Sequence, residues 1–279
     1  MPGVPLRILD LKIQLYYKMM FEKITSLQNE RVKNLVRLQK SAERKARNLI
    51  LIEGWREIKQ AIGKDFQIEA FYLNEDKIGE LDTLSGKVFL LSSNVFEKVA
   101  YRENTEGIIA VAKPKFYSFE TLNLRENPML IVLESVEKPG NLGAVLRTAE
   151  AAAVDAVIIC DPLTDIFNPN VIRSSLGCVF SVPVVACKNQ NAIHYLKRKN
   201  IRILAAELNA SKRYDLIDLT QPAAIVLGTE ASGLTDEWVR VADERIIIPM
   251  LGKHDSLNVS VSAAILVFEA LRQRGFKEQ

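Results

Sequence analysis

The sequence predicts an α/β protein with two domains: a small N-terminal α/β domain and a C-terminal domain in which a mostly parallel sheet carries helices on both faces. Three observations predict this fold class. The length of 279 residues favours about two domains. Strand-like and helix-like segments alternate along most of the chain. Short β-branched runs, such as those at 224–227 and 245–248, are typical of buried parallel strands.

The N-terminal domain is predicted to span residues 21–113. It opens with a helix over about 26–48, because apolar residues such as Val32, Leu35 and Leu38 recur at helical spacing. Strand-like and helix-like segments then alternate at Leu49–Glu53, Trp55–Ile62, Ile68–Leu73, Lys87–Leu91, Ser93–Ala100 and Gly107–Ala112. A polar stretch with two prolines at 114–128 has no clean period and is predicted to be a linker.

The C-terminal domain is predicted to span residues 129–279. Its expected strands are Met129–Leu133, Ala156–Cys160, Val182–Ala186, Ile201–Ala206, Ala224–Leu227 and Glu244–Ile248. Its expected helices are Leu142–Ala153, Pro169–Gly177, Ala192–Lys199, Asp236–Val241 and Val259–Arg274. The last helix is apolar almost all round and must be buried on more than one side. It packs either deep in its own domain or partly in a homodimer seam.

Composition excludes several classes of protein. The hydrophobic fraction of 48% and the charged fraction of 25% are those of an ordinary globular protein. No apolar run reaches the roughly 18 residues that a membrane span needs. Cys160, Cys178 and Cys187 are odd in number and lack CxxC spacing, so we expect buried thiols in a reducing cytoplasm, without a disulfide or a metal site. The net charge of +3 is too small to indicate nucleic acid by itself.

Residues 1–20 are predicted to form an N-terminal extension that is poor in turn and capping signals. Two interpretations stay open. The segment is a genuine amphipathic extension, or the start codon is assigned too early and the working chain begins near Met20.

Loops at the carboxyl ends of two predicted strands suggest a binding site. The blocks 227–234 (LGTEASGL), 248–250 (IPM) and 256–260 (SLNVS) follow or adjoin such strands, where open α/β sheets bind ligands. A glycine at 228 lets backbone approach a ligand closely. No G-x-G-x-x-G fingerprint follows the first strand of either domain, and Gly228–Gly233 is followed by Leu234 and Thr235 instead of the lysine of a P-loop. Both common nucleotide-binding loops are therefore unsupported.

A third block, ESVEKPGNLGAVLRTA at 134–149, contains Asn-x-Gly followed four residues later by arginine. Together the blocks resemble, in content and order, the motifs of the SpoU (TrmH-type) RNA ribose methyltransferases of the SPOUT superfamily. Glu134 stands where many members of that family carry aspartate. In the first domain, 52–56 (IEGWR) and 104–107 (NTEG) resemble the family's N-terminal substrate-binding domain. The resemblance extends from about residue 24 onward.

The resemblance implies a trefoil-knotted sheet that binds S-adenosylmethionine, and a homodimer. Carried over position by position, it assigns cofactor contacts to Gly228, Ile248 and Leu257. Leu227, Met250 and Ser256 are their neighbours. These positions are mostly glycine or apolar, as adenine recognition by backbone groups requires. Ile248 and Leu257 could equally be core residues.

The resemblance also implies a catalytic role for Arg147. The sequence offers no obvious general base, and guanidinium stays protonated in proteins. Two roles stay open: Arg147 clamps the target phosphate and hydroxyl, which we favour, or an unusual environment lets it accept the proton. Glu230 is expected to hold Arg147 or the 2′-hydroxyl. Two roles stay open for Asn258 and Asn141: each caps the N-terminus of a helix, or each takes part in catalysis.

RNA contacts are expected from the basic first helix and from one turn of the second domain. The candidates are Arg31, Lys33, Arg37 and Arg44, together with Arg173 and Ser175. On charge alone, a solvated helix face is the favoured explanation of these residues. We therefore predict S-adenosylmethionine-dependent 2′-O-methylation of RNA, with ribosomal RNA as the expected substrate because tRNA-modifying relatives often lack such a front domain. The alternatives are a tRNA 2′-O-methyltransferase of the same family and a catalytically silent RNA-binding or ribosome-assembly protein.

Overall fold

The computed structural model describes residues 21–77, 84–101, 106–229, 232–253 and 256–276. The chain divides into two compact units between Lys115 and Phe116. The predicted extension at 1–20 and the Asn104-Thr105 part of the first-domain resemblance lie outside the described residues.

The first unit is a five-stranded sheet with helices. Its elements in chain order are β1 Glu22–Ile24, α1 Glu30–Leu38, α2 Ser41–Arg47, β2 Ile50–Glu53, α3 Trp55–Gly63, β3 Ile68–Asn74, β4 Lys87–Leu91, α4 Ser93–Val99 and β5 Ile108–Ala112. The strand order is β1-β4-β3-β5-β2, and β5 runs antiparallel to both of its neighbours. Val32, Leu35 and Leu38 of α1 are buried in the core, as their spacing predicts.

The single helix predicted over 26–48 is wrong, because α1 and α2 are separate helices. Lys40 between them is extended, with φ −90° and ψ 135°. The Arg44 guanidinium folds back and donates to the carbonyls of Leu38 (2.9 Å) and Gln39 (2.8 Å), which have lost their helical partners. Gln39 donates its own amide to the carbonyl of Val99 at 2.8 Å. These tertiary contacts stabilise the break.

The second unit contains a seven-stranded sheet. Its elements are β6 Met129–Glu134, α5 Pro139–Ala151, β7 Ala156–Cys160, α6 Pro169–Ser174, α7 Cys178–Ser181, β8 Val184–Cys187, α8 Asn189–Arg198, β9 Arg202–Ala206, β10 Lys212–Arg213, β11 Ala223–Leu227, α9 Asp236–Val241, β12 Glu244–Ile247 and α10 Val259–Gln273. The strand order is β10-β12-β9-β11-β6-β7-β8, and every neighbouring pair is parallel. All strands therefore end at one carboxyl edge. The helices α8 and α9 pack on one face of the sheet, while α5 and α10 pack together, against β7 and β11 respectively.

Two segments differ from their predicted boundaries. The helix predicted over 169–177 ends at Ser174, because Leu176 and Gly177 adopt left-handed backbone with φ of 52° and 83°. Most of the predicted linker packs on the second unit: Phe119 stacks on Tyr195 with ring centroids 4.2 Å apart, and Leu122 joins the same core.

The last helix, α10, buries one side only. Val259, Ala263, Leu266, Val267 and Ala270 are buried, so within the single chain the expectation of burial on more than one side is wrong. Val261 and Phe268 remain nearly half exposed. Within the described ranges, every helix is too short or too polar to qualify as a membrane span.

A buried ion pair anchors the amino edge of the second sheet. The Asp155 side chain is only 2% exposed. Its carboxylate accepts hydrogen bonds from the Arg125 guanidinium (2.9 and 2.8 Å) and from the backbone N–H groups of Arg125 (3.0 Å) and Met129 (2.8 Å). Burial acts to raise the pKa of the carboxyl, but the hydrogen bonds from Arg125 and Met129 outweigh it and hold the pKa below its usual value.

Candidate active site at the carboxyl edge of the second sheet

A cavity of about 310 Å³ opens at the carboxyl ends of β9, β11 and β12. It is lined by residues 206–209, 227–229, 232–234 and 246–248, and by Met250, Ser256, Leu257, Val259 and Ser262. The six positions that the resemblance assigned to the cofactor all lie in this lining. Sequence reasoning omitted Glu207, Leu208 and Asn209, although they directly follow strand β9 and the same strand-end argument applies to them.

Gly228 is required by the chain itself. A Cβ atom there would lie 2.1 Å from the carbonyl carbon and oxygen of Gly233 and 2.5 Å from the backbone nitrogen of Leu234. The loop turns back on itself because Thr229 and Gly233 exchange two backbone hydrogen bonds, of 3.1 and 3.0 Å. Gly228 thus also has a structural reason to lack a side chain, because the backbone of its own loop packs against it. Glu230 lies in this loop but outside the described residues.

A second cavity of about 100 Å³ adjoins the first. Residues 133–138, Asn141, Leu227, Gly228, Thr229 and Val259 line it. Four of these residues, from Leu227 to Thr229 and Val259, also line the larger cavity. The two cavities therefore share the end of strand β11 as a common wall.

Asn141 and Asn258 meet at this site. The Asn258 amide nitrogen donates to the side-chain oxygen of Asn141 at 3.2 Å. The side-chain oxygen of Asn258 accepts from the Ser260 backbone N–H at 3.0 Å, so Asn258 is the N-cap of α10. Asn141 is not a cap, since the N-cap of α5 is Lys138. The structure thus brings both asparagines together and gives Asn258 its structural role as well.

Arg147 lies farther along helix α5 and lines neither cavity. It is exposed, and among the described residues its guanidinium makes no hydrogen bond or ion pair. Six residues separate it from Asn141, which corresponds to a rise of about 9 Å along the helix and directions about 120° apart around it. Within one chain, Arg147 is therefore not assembled with the two asparagines.

The basic residues predicted on the first helix do not all face solvent. Arg37 is exposed and Lys33 is half-buried, at 3.9 and 2.9 Å from the Glu30 carboxylate. The Arg31 guanidinium lies 4.3 Å from the centre of the Phe89 ring. Arg44 is only 3% exposed and is committed to backbone carbonyls. Its predicted RNA contact is therefore wrong, because a buried guanidinium cannot reach a phosphate.

Arg173 and Ser175 also differ in exposure. Arg173 is exposed, and its guanidinium donates to the Asn170 side-chain oxygen at 2.7 and 3.1 Å. Ser175 is completely buried, and its hydroxyl donates to the carbonyl of Ile172 at 3.0 Å. Only Arg173 is available to a macromolecular partner.

The fold and the site define an α/β protein with a loop-lined cavity at the carboxyl edge of a parallel sheet, without a dinucleotide or P-loop fingerprint. Residues 128–268 match the SpoU rRNA Methylase family model, and residues 29–110 match the MRM3-like substrate binding domain. The chain belongs to the SpoU rRNA methylase family.

Similar proteins agree with this membership over almost their whole length. The chain is 29% identical to the 23S rRNA (guanosine(2553)-2′-O)-methyltransferase RlmP of Bacillus subtilis, over 88% of this chain and 98% of that protein. Its structure matches that of an RNA 2′-O ribose methyltransferase with a TM-score of 0.82, at 37% identity, covering 90% of this chain and 99% of the other. It also matches the AdoMet-bound rRNA methyltransferase from Sinorhizobium meliloti with a TM-score of 0.83, at 26% identity, covering 90% and 98%.

Proposed function

We propose that this protein methylates a ribose 2′-oxygen of ribosomal RNA with S-adenosylmethionine as methyl donor. The observation that carries the proposal is the cavity at the carboxyl edge, which gathers all six predicted cofactor positions beside a smaller cavity that contains Asn141. The B. subtilis relative, which is similar over 88% of this chain, is named for 2′-O-methylation of 23S rRNA.

The residues present fit the cofactor. A volume of about 310 Å³ is at the lower end of the range for small-molecule sites. Leu227, Ile248 and Leu257 offer apolar walls for an adenine ring. Glu207 and Asn209, at the rim from strand β9, offer polar groups for ribose hydroxyls or the amino group. When bound, S-adenosylmethionine supplies an electrophilic methyl group on a sulfonium.

The chain's own residues then have to orient the acceptor ribose and neutralise charge. Asn141 lines the smaller cavity and accepts a hydrogen bond from Asn258, so the pair is suited to hold the hydroxyl by hydrogen bonds. Arg147 binds the adjoining phosphate, since its guanidinium is exposed and the guanidinium fork matches phosphate geometry. Glu230 is proposed to hold Arg147 or the hydroxyl.

RNA affinity is assigned to three cations of the first unit, the exposed Arg31 and Arg37 and the half-buried Lys33, and to Arg173 of the second. Surface ion pairs such as Lys33–Glu30 contribute little stability, so exchanging the carboxylate for a phosphate costs little. Such contacts supply sequence-independent affinity, and the choice of nucleotide falls to the second unit.

We further propose a homodimer. Phe268 and Phe276 are 44% and 63% exposed and line an apolar cavity of about 280 Å³ beside α10. A second copy seated there would cover this surface, and Arg147 is free to complete a site that one chain leaves without it. The trefoil knot and a cytoplasmic location, implied by the resemblance and by the rRNA substrate, belong to the same proposal.

The test is methyl transfer from labelled S-adenosylmethionine to separate ribosomal RNA and tRNA from a cell that lacks the protein. We expect label in ribosomal RNA, in ribose 2′-O-methyl groups. Arg147→Ala is expected to lose about 10²–10³-fold in rate while keeping cofactor affinity, because a cation that stabilises developing charge is removed. Full label in this variant would remove Arg147 from the mechanism.

The other outcomes identify the alternatives. Label confined to tRNA would identify tRNA, instead of ribosomal RNA, as the substrate. Binding of the cofactor without transfer to either RNA would favour a silent RNA-binding protein.

A further inference from the structure

Glu134 ends strand β6, next to the shared wall of the two cavities. It is a carboxylate in the middle of the sheet and only 3% exposed. One of its oxygens accepts hydrogen bonds from the Asn189 amide nitrogen (2.5 Å) and the Thr235 hydroxyl (2.8 Å). The other accepts from the backbone N–H of Thr235 at 2.8 Å. All three donors are uncharged.

The groups that face the Glu134 side chain are donors of fixed orientation, so both of its terminal atoms have to be acceptors. The Asn189 side-chain oxygen accepts from the indole N–H of Trp238 at 2.9 Å, which fixes the Asn189 amide nitrogen toward Glu134. The backbone N–H of Thr235 has no capacity to accept. Both oxygens of Glu134 therefore face fixed donors, and an amide in its place would turn an N–H group against one of them.

The contact with Thr235 closes a loop that lines both cavities. The chain leaves strand β11 at Leu227, turns back at Gly228 and reaches Thr235 eight residues later. Thr229, Ser232, Gly233 and Leu234 of this segment line the larger cavity. One end of the loop is fixed by the sheet, and the other is fixed by the Glu134 carboxylate.

We propose that Glu134 is a positioning residue that, through Thr235, holds Gly233 and Leu234 in the positions that bind the methyl donor. It acts through Thr235 and need not touch the donor. The inference rests on the proposed function in naming S-adenosylmethionine as the ligand, but the hold on the loop is a property of the free protein and can be measured without it.

The experiment compares Glu134→Gln with Asp155→Asn in the full-length protein. Asp155 is an equally buried carboxylate at the opposite edge of the same sheet, so it controls for the loss of a buried charge. Three quantities are measured for each: the melting temperature, the amide hydrogen exchange of Gly233 and Thr235 without ligand, and the dissociation constant for S-adenosylmethionine by calorimetry.

For Glu134→Gln we expect exchange at Gly233 and Thr235 to be at least about tenfold faster, and the dissociation constant to rise at least about tenfold, as for loss of a hydrogen bond to a charged group. The KM for S-adenosylmethionine should rise likewise while the KM for RNA is unchanged. Asp155→Asn should lower the melting temperature and leave the exchange and both constants as in the wild type. Wild-type exchange and affinity in Glu134→Gln would overturn the proposal, and so would an equal effect of Asp155→Asn.

Thr235→Val provides the answer if Glu134→Gln does not fold. Thr235 is exposed, and valine removes only the hydroxyl donor. We expect the exchange rate and the dissociation constant to rise about three- to fivefold, because one of the two hydrogen bonds between Thr235 and Glu134 is lost. No change in this variant would equally overturn the proposal. If the wild type does not bind S-adenosylmethionine at all, the proposed function fails, while the exchange rates still decide whether Glu134 holds the loop.

Discussion

The two edges of the second sheet each contain a buried carboxylate, and the two are used differently. At the amino edge, Asp155 pairs with the Arg125 guanidinium and with the backbone that enters strand β6. At the carboxyl edge, the donors to Glu134 among the described residues are all uncharged, and two of them are groups of Thr235. A charge paired within the framework stabilises the fold with or without a ligand. A carboxylate that accepts hydrogen bonds from a cavity-lining loop holds that loop in place and so shapes the candidate binding site.

The largest effect is expected from Gly228→Ala at the carboxyl edge. The new methyl group would collide with the backbone of Gly233 and Leu234, which cannot move without opening the loop. We expect S-adenosylmethionine affinity to fall at least about 30-fold, corresponding to about 2 kcal/mol, when measured by calorimetry. Gly252→Ala is the matched control, because a Cβ there would have nothing within 4 Å. Equal affinity in the two variants would contradict the loop geometry.

The next largest effect is a loss of stability when the buried ion pair at the amino edge is broken. Asp155→Asn is expected to lower the free energy of unfolding by about 2 kcal/mol at pH 7, since hydrogen bonds to a charged group are lost. Because the pKa of Asp155 is lowered in the folded protein, its contribution is present above the unfolded pKa of about 3.9 and is lost as pH falls through the folded pKa. Urea unfolding from pH 7 to pH 3 measures it.

In that series, the difference between wild type and Asp155→Asn should be constant down to about pH 5 and shrink below about pH 4. Glu126→Gln, an exposed neighbour of Arg125, serves as the control and should differ little from wild type. A difference that persists undiminished at pH 3 would mean that the ionised Asp155 carboxylate is not its source.

The smallest effect on stability is expected from substitutions of Asn258, which separate its role as a helix cap from its role in methyl transfer. Aspartate keeps the acceptor that caps α10 but cannot donate to Asn141. The free energy of unfolding of Asn258→Asp should therefore lie within about 0.5 kcal/mol of the wild-type value. Its methyl-transfer rate should nevertheless fall about tenfold. Asn258→Ala loses the cap as well and should cost about 1 kcal/mol of stability. Wild-type turnover in Asn258→Asp would leave Asn258 with a purely structural role.

Much of the second sheet was predictable because its strands are buried on both faces and appear as short β-branched runs. Strand β7 begins and ends where the pattern predicts, and β11 starts one residue earlier, at Ala223. The parallel order brings the carboxyl ends together, so the cavity-lining residues on separate loops could be anticipated from strand ends alone. The edge strands β1 and β10 were missed because two or three residues carry no period.

Contacts between residues distant in sequence could not be predicted. Glu134 looked like an ordinary motif residue, since its partners lie 55 and 101 positions away and meet it only through the strand order. The break between α1 and α2 contains neither proline nor glycine, and only the tertiary contacts of Gln39 and Arg44 explain it. Charge alone could not separate the buried Arg44 from the exposed Arg37.

A crystal structure of the protein grown with S-adenosylmethionine shows most directly whether the carboxyl-edge cavity binds the methyl donor. We expect the adenine between Leu227, Ile248 and Leu257, with Thr235 still bound to the Glu134 carboxylate. Donor bound at another place, or an empty cavity at a concentration that saturates binding in solution, would contradict it.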